Sequence, residues 1–294
     1  MVASISAATM NQYSCTYRLW YEYCKRKQIQ VFQADVTQVL EFLQEILNTS
    51  NLNYGSMNSH RSAISLIAAD GLGSHPLMKR FMRGVTRKRP ANPRYKFTWD
   101  PQIVLSTLAE LPEGNLKSLS HKLVTLLLLV TGGRLQTISL IRVSNIHREQ
   151  SKLQIMITDP VKTSFSSKDQ PFLNLPFFTE NPNICPASAV IQYIEATKEI
   201  RNNEDFLFLT YMKPHKRATK QSLSRWVKQT LTWAGIDTSV FKPHSTRHSS
   251  TSAVRRGGLS VEAICKTATF AKFYDRPLQS TDGFANTLLS MEKT

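Results

Sequence analysis

The stretch from Phe241 to Pro277 contains residue types that can handle a phosphate group. His244 and Arg247 form a His-x-x-Arg pair directly after a proline, and an aromatic cluster near the end of the stretch closes with Tyr274. Residues one helical turn apart lie on the same face of a helix, so this pair can hold one anionic group between its side chains. A tyrosine on a later helix can then be brought up to that group. The pattern therefore indicates phosphoryl transfer to a tyrosine hydroxyl.

The composition indicates a polyanionic partner. The 294 residues carry 37 basic and 21 acidic side chains, a formal net charge of +16. A field of this sign and size attracts polyanions, most often nucleic acid, although ribosomal, membrane-surface and heparin-binding proteins share it. The four cysteines show no close C-x-x-C pairing, so we expect a reduced intracellular protein rather than a disulfide scaffold or a zinc site.

The sequence shows no membrane or secretion segment. The first ten residues are small and polar, which does not fit a signal peptide. The longest apolar run, Leu123 to Val130, is too short to span a bilayer. We therefore expect a soluble protein with no membrane partner.

The first ninety residues predict a small all-α bundle. Apolar spacing favours helices near residues 10–30, Val36 to Leu47, Tyr54 to Ala69 and Pro76 to Val85, with Asp35 as an N-cap. Two basic clusters in this region favour DNA binding over the alternative of a merely solvated face. The predicted DNA-binding residues are Lys25, Arg26, Lys27, Lys79, Arg80, Arg83, Arg87, Lys88, Arg89 and Arg94.

The segment Arg87 to Phe97, RKRPANPRYKF, separates two predicted domains. It is rich in proline and arginine and has no apolar period, which predicts an extended basic linker. The predicted boundaries are a helical domain at 1–86, the linker at 87–97 and a second domain at 98–294.

The second domain is predicted to be mainly helical with a small sheet. Helices are expected at Pro101 to Leu111, Ser120 to Val130, Leu135 to Ile141, Pro186 to Ile200 and Ser222 to Trp233. Strands are expected at Lys152 to Thr158, Phe172 to Leu175 and Phe206 to Thr210. The helix from Ser120 ends in TGGR, with Gly132 and Gly133 as C-cap residues before Arg134.

The order of these motifs resembles the tyrosine recombinase, or phage integrase, family. A TGGR turn precedes a short β-hairpin that carries lysines, and His-x-x-Arg and a C-terminal tyrosine follow. Four sequence segments are similar to those of the recombinases of eukaryotic DIRS-like retrotransposons: TGGRLQTISLI, PVKTS, KPHSTRHSSTSAV and TFAKFYDRP. The resemblance covers nearly the whole chain. It implies a mainly α fold, with an N-terminal helical core-binding bundle and a mainly helical catalytic domain that contains a small antiparallel sheet.

The resemblance also implies a role for each matching residue. Arg134 and Arg247 match the two catalytic arginines, which would bind the non-bridging oxygens of the scissile phosphate. Lys162 matches the hairpin lysine that would protonate the departing 5′-oxygen, with Lys168 as the competing candidate. His244 matches a phosphate donor or acid–base group, and Tyr274 matches the nucleophile that would form a 3′-phosphotyrosyl bond. That bond conserves the energy of the cleaved one, so no cofactor or metal is expected.

The same residues also fit purely structural roles. Arg134 after two glycines also fits a cation at a helix C-terminus, and His244 also fits a buried helix start. Phe270, Phe273 and Tyr274 have the spacing of an ordinary core stripe.

The sequence departs from the family pattern at two places. Thr137 stands where members often carry an acidic residue, which is a minor difference. The second departure lies before the tyrosine, where members carry a further His or Trp. No His or Trp lies between His248 and Tyr274, and about six residues are missing between Ala268 and Thr269. Because positioning dominates phosphoryl transfer, this copy is a candidate for a weakened or inactive enzyme that still binds DNA.

Four functions follow from these observations. The first is a recombinase that integrates or excises a mobile element, acting on double-stranded DNA as a tetramer in the nucleus, with Phe284 to Met291 as a helix exchanged between neighbours. Type IB topoisomerases share the Arg-Lys-Arg-His-Tyr chemistry. A non-catalytic DNA-binding relative is favoured by the shortened segment, and an RNA-binding protein would leave the ordered motifs unexplained. None of these functions involves a small-molecule substrate.

Overall fold

The computed structural model describes residues 5–68, 71–90, 95–112, 114–161, 170–258 and 260. The chain divides into two compact units, of which the first ends at Pro93 and the second begins at Arg94. This division falls inside the stretch predicted as a linker. The described residues are mainly helical with one small antiparallel sheet, so the predicted fold class is confirmed. No helix among them is long and apolar enough to cross a membrane.

The described residues of the first unit form four α-helices around one apolar core. They are α1 (Ala7–Lys27), α2 (Val36–Thr49), α3 (Tyr54–Ile64) and α4 (Pro76–Lys88). Asp35 and Gln38 form a reciprocal capping box at the start of α2, which confirms the predicted N-cap. The Trp20 ring lies 5.0 Å from that of Phe42 and 5.8 Å from that of Tyr23, and these rings join α1 to α2.

The predicted linker is wrong at its start. The last helix, α4, continues through Arg87 and Lys88, so these two residues are helical rather than extended. Arg89 then fixes the helix end, because its guanidinium donates to the carbonyl of Leu47 at 2.7 Å and to that of Leu52 at 2.9 Å. The helix therefore extends three residues beyond Val85, its predicted end. By contrast, α3 ends at Ile64, before its predicted end at residue 69.

In the described residues of the second unit, five α-helices and one sheet pack around a central helix, α6. The helices are α5 (Pro101–Ala109), α6 (Leu116–Thr131), α7 (Leu135–Ile138), α8 (Pro186–Thr197), α9 (Lys220–Trp233) and α10 (Ser245–Arg256). The strands are β1 (Ile146–Arg148), β2 (Lys152–Met156) and β3 (Phe172–Pro176). Ten consecutive residues of α6, 120 to 129, are buried, so this helix forms the centre of the core. The predicted apolar side of α9 is confirmed, since Leu223, Trp226, Val227 and Leu231 are all buried.

The sheet has the order β1-β2-β3 with antiparallel neighbours. Leu153 and Ile155 of β2 pair with Leu175 and Leu173 of β3, and all four side chains point into the core. The sequence predicts β2 and β3 but not β1, which has only three residues and a partly exposed pattern. A strand this short gives no readable alternation.

The predicted strand at Phe206 to Thr210 is wrong. Its residues make only single bridges, Arg142 with Phe206 and Leu209 with Arg217. The segment makes a few backbone hydrogen bonds to residues before and after it, from the Leu207 amide to Ile141 O and from the Ala218 amide to Phe208 O, both at 2.8 Å, and side chains supply further partners. The Tyr193 hydroxyl donates to the carbonyl of Leu209 at 3.3 Å and accepts from its amide at 3.2 Å. Buried side-chain polar groups thus satisfy a segment that a sheet would otherwise hold.

Arg201 supplies the other partners of this segment. One guanidinium nitrogen donates to the carbonyls of Glu204 and Phe206, and the other donates to Leu207 O and to Thr197 Oγ1, both at 2.8 Å. The side chain thereby connects the end of α8 to the extended residues that follow.

Arg201→Gln should lower the free energy of unfolding by about 2–4 kcal/mol, because it leaves several carbonyls without their charged donor. Urea denaturation followed by circular dichroism measures the change. Arg225→Gln, at an exposed position of α9, is the matched control and should shift stability by less than about 0.5 kcal/mol. Equal effects of the two substitutions would contradict this role of Arg201.

Candidate active site

A tight turn at the end of α6 sets the position of Arg134. Gly132 ends the helix in the left-handed region at φ 54°, as the sequence predicts for a C-cap. The Thr131 hydroxyl donates to Leu127 O at 2.6 Å and accepts from the Gly133 amide at 3.1 Å. A Cβ at Gly133 would lie 2.7 Å from that hydroxyl oxygen, so only glycine fits there. The Thr-Gly-Gly sequence is thus a closed turn rather than a flexible loop.

Arg134 is the first residue after this turn and the N-cap of α7. Its backbone is extended, with φ −85° and ψ 144°, and its carbonyl accepts from the Ile138 amide at 3.1 Å. The side chain is half-buried. Arg134 therefore lies between the end of α6 and the start of α7 and is not itself part of α6.

Two further predicted site residues lie at the start of α10. His244 is its N-cap and is exposed, whereas Arg247 is buried with only 2% of its surface accessible. The two residues lie one turn apart, as the His-x-x-Arg spacing predicts. The His244 ring also lies 5.6 Å from that of His248, with the planes nearly perpendicular.

The positive charges of two arginines act on the His244 ring. Protein atoms around the ring displace water, and this lowers the pKa of the imidazole from its usual value of 6.5. The positive charges of Arg247 and Arg134 lower the pKa further. Arg134, His244 and Arg247 therefore form one cationic cluster, built from two segments that are more than a hundred residues apart in sequence. We call it the cationic cluster below.

Trp99 holds α10 in place, and the sequence analysis missed it. Its indole N–H donates to Ser245 Oγ at 2.9 Å, and its carbonyl accepts from Ser249 Oγ at 2.9 Å. Both serines lie on the same side of α10, one turn apart. Trp99 is 3% exposed and directly precedes Asp100, the N-cap of α5. A lone tryptophan before a helix start gives no sequence signal for this role.

Tyr95 packs behind the same helix. Its ring lies 5.6 Å from that of His248 in an edge-on arrangement and 4.9 Å from that of Phe241. Residues that the sequence analysis assigned to the linker therefore belong to the support of α10.

Arg142 and Asp159 form a second charged group in this unit. Arg142 donates to both carboxylate oxygens of Asp159, at 2.9 and 3.2 Å, and this hydrogen bonding lowers the pKa of the Asp159 carboxyl. The guanidinium carbon of Arg142 also lies 4.2 Å from the centre of the Phe206 ring, and that of Arg217 lies 3.3 Å from it. This group fixes the chain three residues before Lys162.

Three of the predicted catalytic positions lie outside the described residues. They are Lys162, its alternative Lys168, and Tyr274. The predicted DNA-binding residue Arg94 and the short segment at Ala268 and Thr269 also lie outside them. No cluster of His, Cys, Asp and Glu side chains that could hold a metal ion is found in the part of the chain that the structure describes.

The two predicted basic clusters of the first unit differ in their surroundings. Lys25, Arg26 and Lys27 are exposed in the last turn of α1, but Arg26 pairs with Glu45 of α2 and lies over the ring of Tyr23. Part of this charge is thus neutralised within the unit. In α4, five basic residues are exposed on a helix that contains no acidic residue: Lys79, Arg80, Arg83, Arg87 and Lys88. Arg89 differs from them because its guanidinium binds backbone carbonyls.

A sequence model of a known protein family matches most of the second unit. The sequence model described as "Phage integrase family" matches residues 102–272, which include Arg134, His244 and Arg247 and end two residues before Tyr274. No curated protein sequence matches the chain.

Several solved structures share the fold. XerH site-specific recombinase bound to difH, a pre-cleavage complex, is 12% identical over 95% of this chain and 78% of that chain, with a TM-score of 0.62. The Tn1549 transposon integrase in complex with a circular intermediate DNA is 12% identical over 94% and 99% of the two chains, with a TM-score of 0.56. A lambda integrase dimer bound to a COC′ core site is 13% identical over 92% and 91%, with a TM-score of 0.54.

Gly133→Ala should destabilise the chain by about 1–3 kcal/mol, because the added methyl group overlaps the Thr131 hydroxyl in a packed turn. Thermal unfolding measures the loss. Thr131→Ala should cost less when it is combined with Gly133→Ala than when it is made alone, since it removes the overlapping oxygen. Additive effects of the two substitutions would mean that the close contact does not restrict the turn.

Arg134→Gln should raise the pKa of His244, because it removes one of the two positive charges that disfavour the imidazolium form. Titration of the His244 ring followed by NMR measures the shift. Arg148→Gln removes an exposed arginine from β1 and should leave this pKa unchanged. If Arg134→Gln also has no effect, the three residues do not form one cluster.

Proposed function

This chain belongs to the phage integrase family, and from this premise we propose that it cuts and rejoins duplex DNA at specific sites through a tyrosine–phosphate intermediate. The observation that carries the proposal is the cationic cluster of Arg134, His244 and Arg247. Two guanidinium groups and an imidazole at one place match the charge and hydrogen-bonding needs of a phosphodiester under attack. The rest of the proposal assigns a step to each group.

Arg134 and Arg247 bind the two non-bridging oxygens of the scissile phosphate. Their guanidinium groups stay charged as negative charge grows on these oxygens in the transition state, so they stabilise it more than the ground state. Because Arg247 is buried, its interaction with the phosphate is weakly screened by water. Trp99 keeps this arginine in position through its bonds to Ser245 and Ser249.

Tyr274 attacks the phosphorus atom, a new bond forms from its oxygen, and the bond to the 5′-oxygen of the DNA breaks. Lys162, or Lys168 in its place, gives a proton to the departing 5′-oxygen. In the reverse step a 5′-hydroxyl attacks the phosphotyrosyl group and releases the tyrosine. The two bonds are of the same kind, so rejoining needs no external energy source.

His244 takes the proton of the attacking tyrosine in this proposal. Its lowered pKa keeps the imidazole neutral near pH 7 in the free protein, which is the form that can accept a proton. A bound phosphate offsets the charges of the two arginines and raises the pKa, so the imidazolium becomes stable when the proton arrives. The same ring then donates a hydrogen bond to the phosphate.

We also propose that the partner is double-stranded DNA and that copies of the chain associate on it as a tetramer. The net charge of +16 and the exposed basic residues of α4 support a DNA partner. The neighbours in the structure comparison are described as bound to DNA, and one of them as a dimer.

The biological setting that we propose is the movement of a DIRS-like retrotransposon in a nucleus. This setting is supported by the sequences of two motifs, TGGRLQTISLI and KPHSTRHSSTSAV. One of the structural neighbours is a transposon integrase, which is compatible with a mobile-element role.

A second candidate is a DNA-binding relative with weakened or lost catalysis. The specific observation in its favour is the distance of 27 residues between Arg247 and Tyr274, with no His or Trp after His248. A displacement of the tyrosine by about 1 Å would reduce the rate by roughly 10²-fold. The family match also ends before the tyrosine.

A covalent-trapping assay tests the proposal. Nicked duplexes from the ends of the parent element are incubated with the full chain, denatured, and scored for a DNA–protein adduct, which accumulates when the short cleaved strand is lost. We expect an adduct with the natural chain and none with Tyr274→Phe. Tyr21→Phe, an exposed tyrosine of α1, is the matched control and should retain the adduct.

A version with a Trp-containing segment inserted after Ala268 separates the two candidates. An adduct only in this version would mean that the cationic cluster is competent and that the shortened segment has silenced the enzyme. If neither version gives an adduct while duplex binding is intact, the catalytic proposal is wrong and the DNA-binding relative is correct.

A further inference from the structure

The exposed side of α4 is almost entirely cationic. At 3.6 residues per turn, Lys79, Arg80, Arg83, Arg87 and Lys88 fall on about half of the helix circumference. The buried residues Met78, Met82 and Val85 lie on the other half, against the core of the first unit. No acidic side chain on the helix offsets these charges. We call these five residues the α4 basic face.

Gly84 lies within the α4 basic face. Arg80 and Lys88 are four residues away from it on either side, and Arg83 and Arg87 are one and three residues away, so the glycine is surrounded by cations. It is exposed and lies in the helix interior, where glycine is among the least favourable residues. Its presence therefore requires a reason.

The fold of the chain gives no such reason. The backbone at Gly84 is helical, and a Cβ there would meet no atom within 4 Å. Every other described glycine either has a positive φ, as Gly71, Gly132 and Gly235 do, or would place a Cβ within 4 Å of another atom, as Gly133 would. Among the glycines that the structure describes, Gly84 is therefore the only one for which neither the backbone conformation nor a neighbouring atom requires the absence of a side chain.

We propose that Gly84 is the point at which a DNA strand comes closest to α4. Without a side chain at this position, the sugar–phosphate backbone can approach the helix backbone, while the flanking arginines and lysines reach phosphates on either side. An alanine or a longer residue would hold the strand away and lengthen those charged contacts. The proposal rests on the proposed function, since it requires that the chain bind duplex DNA.

The charge around the glycine favours DNA over a protein helix as the occupant. Small residues also allow two helices to pack closely, but such contacts need apolar surroundings. The other exposed residues of α4 are the five cations together with Pro76, Leu77 and Thr86, so charge dominates this surface. A duplex supplies phosphates at a spacing that this many cations can contact together.

Gly84→Ala and Gly84→Gln in the full chain test the proposal, with a fluorescent duplex of mixed sequence as the probe. Both substitutions should raise the midpoint of thermal unfolding, because alanine and glutamine are better helix formers and the added atoms enter open space. Both should weaken duplex binding, with glutamine weakening it by about tenfold, because the strand is pushed away from the flanking cations. Higher stability with lower affinity is a result that a purely structural glycine would not give.

Two control variants separate this proposal from DNA binding in general. Arg83→Gln should weaken binding and reduce the slope of log affinity against log salt by about one, since it removes one phosphate contact. Gly55→Ala changes an exposed helical glycine of α3, outside the α4 basic face, and should leave the affinity unchanged.

Each outcome decides the proposal. If the Gly84 variants bind the duplex as tightly as the natural chain while Arg83→Gln binds more weakly, the close approach at Gly84 is wrong but DNA binding by α4 stands. If the variants lose self-association and keep their DNA affinity, the occupant is a second copy and the proposal is overturned. Absence of duplex binding by the natural chain would overturn both this proposal and the proposed function.

Discussion

The structure of the second unit depends on burying a helix that is almost entirely polar. Eight consecutive residues of α10, 245 to 252, are buried, and all are Ser, Thr, Arg or His. Such burial is possible because the hydroxyl groups find acceptors nearby: Thr246 and Thr251 donate to backbone carbonyls one turn earlier, and Ser249 donates to Trp99 O. Small side chains also let α10 lie close to α5 and α6. This arrangement holds the guanidinium of Arg247 in a fixed position away from bulk water.

This constraint explains which parts of the fold could be predicted from the sequence. The helices α2, α6 and α9 were predicted because their apolar residues recur at helical spacing, and the TGGR turn was predicted from its glycines. The packing of α10 was not, since a run of Ser, Thr and Arg indicates an exposed helix by composition. Its neighbour Trp99 gave no signal for the same reason: its role depends on two hydroxyl partners about 150 residues away.

The wrong strand at Phe206 to Thr210 has a related cause. Its Phe-Leu-Phe-Leu sequence favours a buried strand by propensity, but its backbone makes only isolated bonds to neighbouring segments, and the side chains of Arg201 and Tyr193 supply further partners. Of the candidate site, the motif order predicted Arg134, His244 and Arg247 as site residues, and the structure places both arginines where their charges act on the His244 ring. The sequence could not predict that Arg26 would be paired with Glu45, whereas the five cations of α4 face no acidic residue on their own helix.

The cationic cluster places two arginine charges near one titratable ring, that of His244. Arg134 and Arg247 both lower the pKa of His244, so in the free protein the two guanidinium charges already repel any third charge at this place. The fold holds them together through contacts made elsewhere: the Thr131–Gly133 turn for one arginine, and Trp99 with its two serines for the other. In the proposed reaction, a phosphate bound between them relieves this repulsion and shifts the imidazole toward its charged form. That proposal therefore couples the binding of phosphate to the protonation of His244.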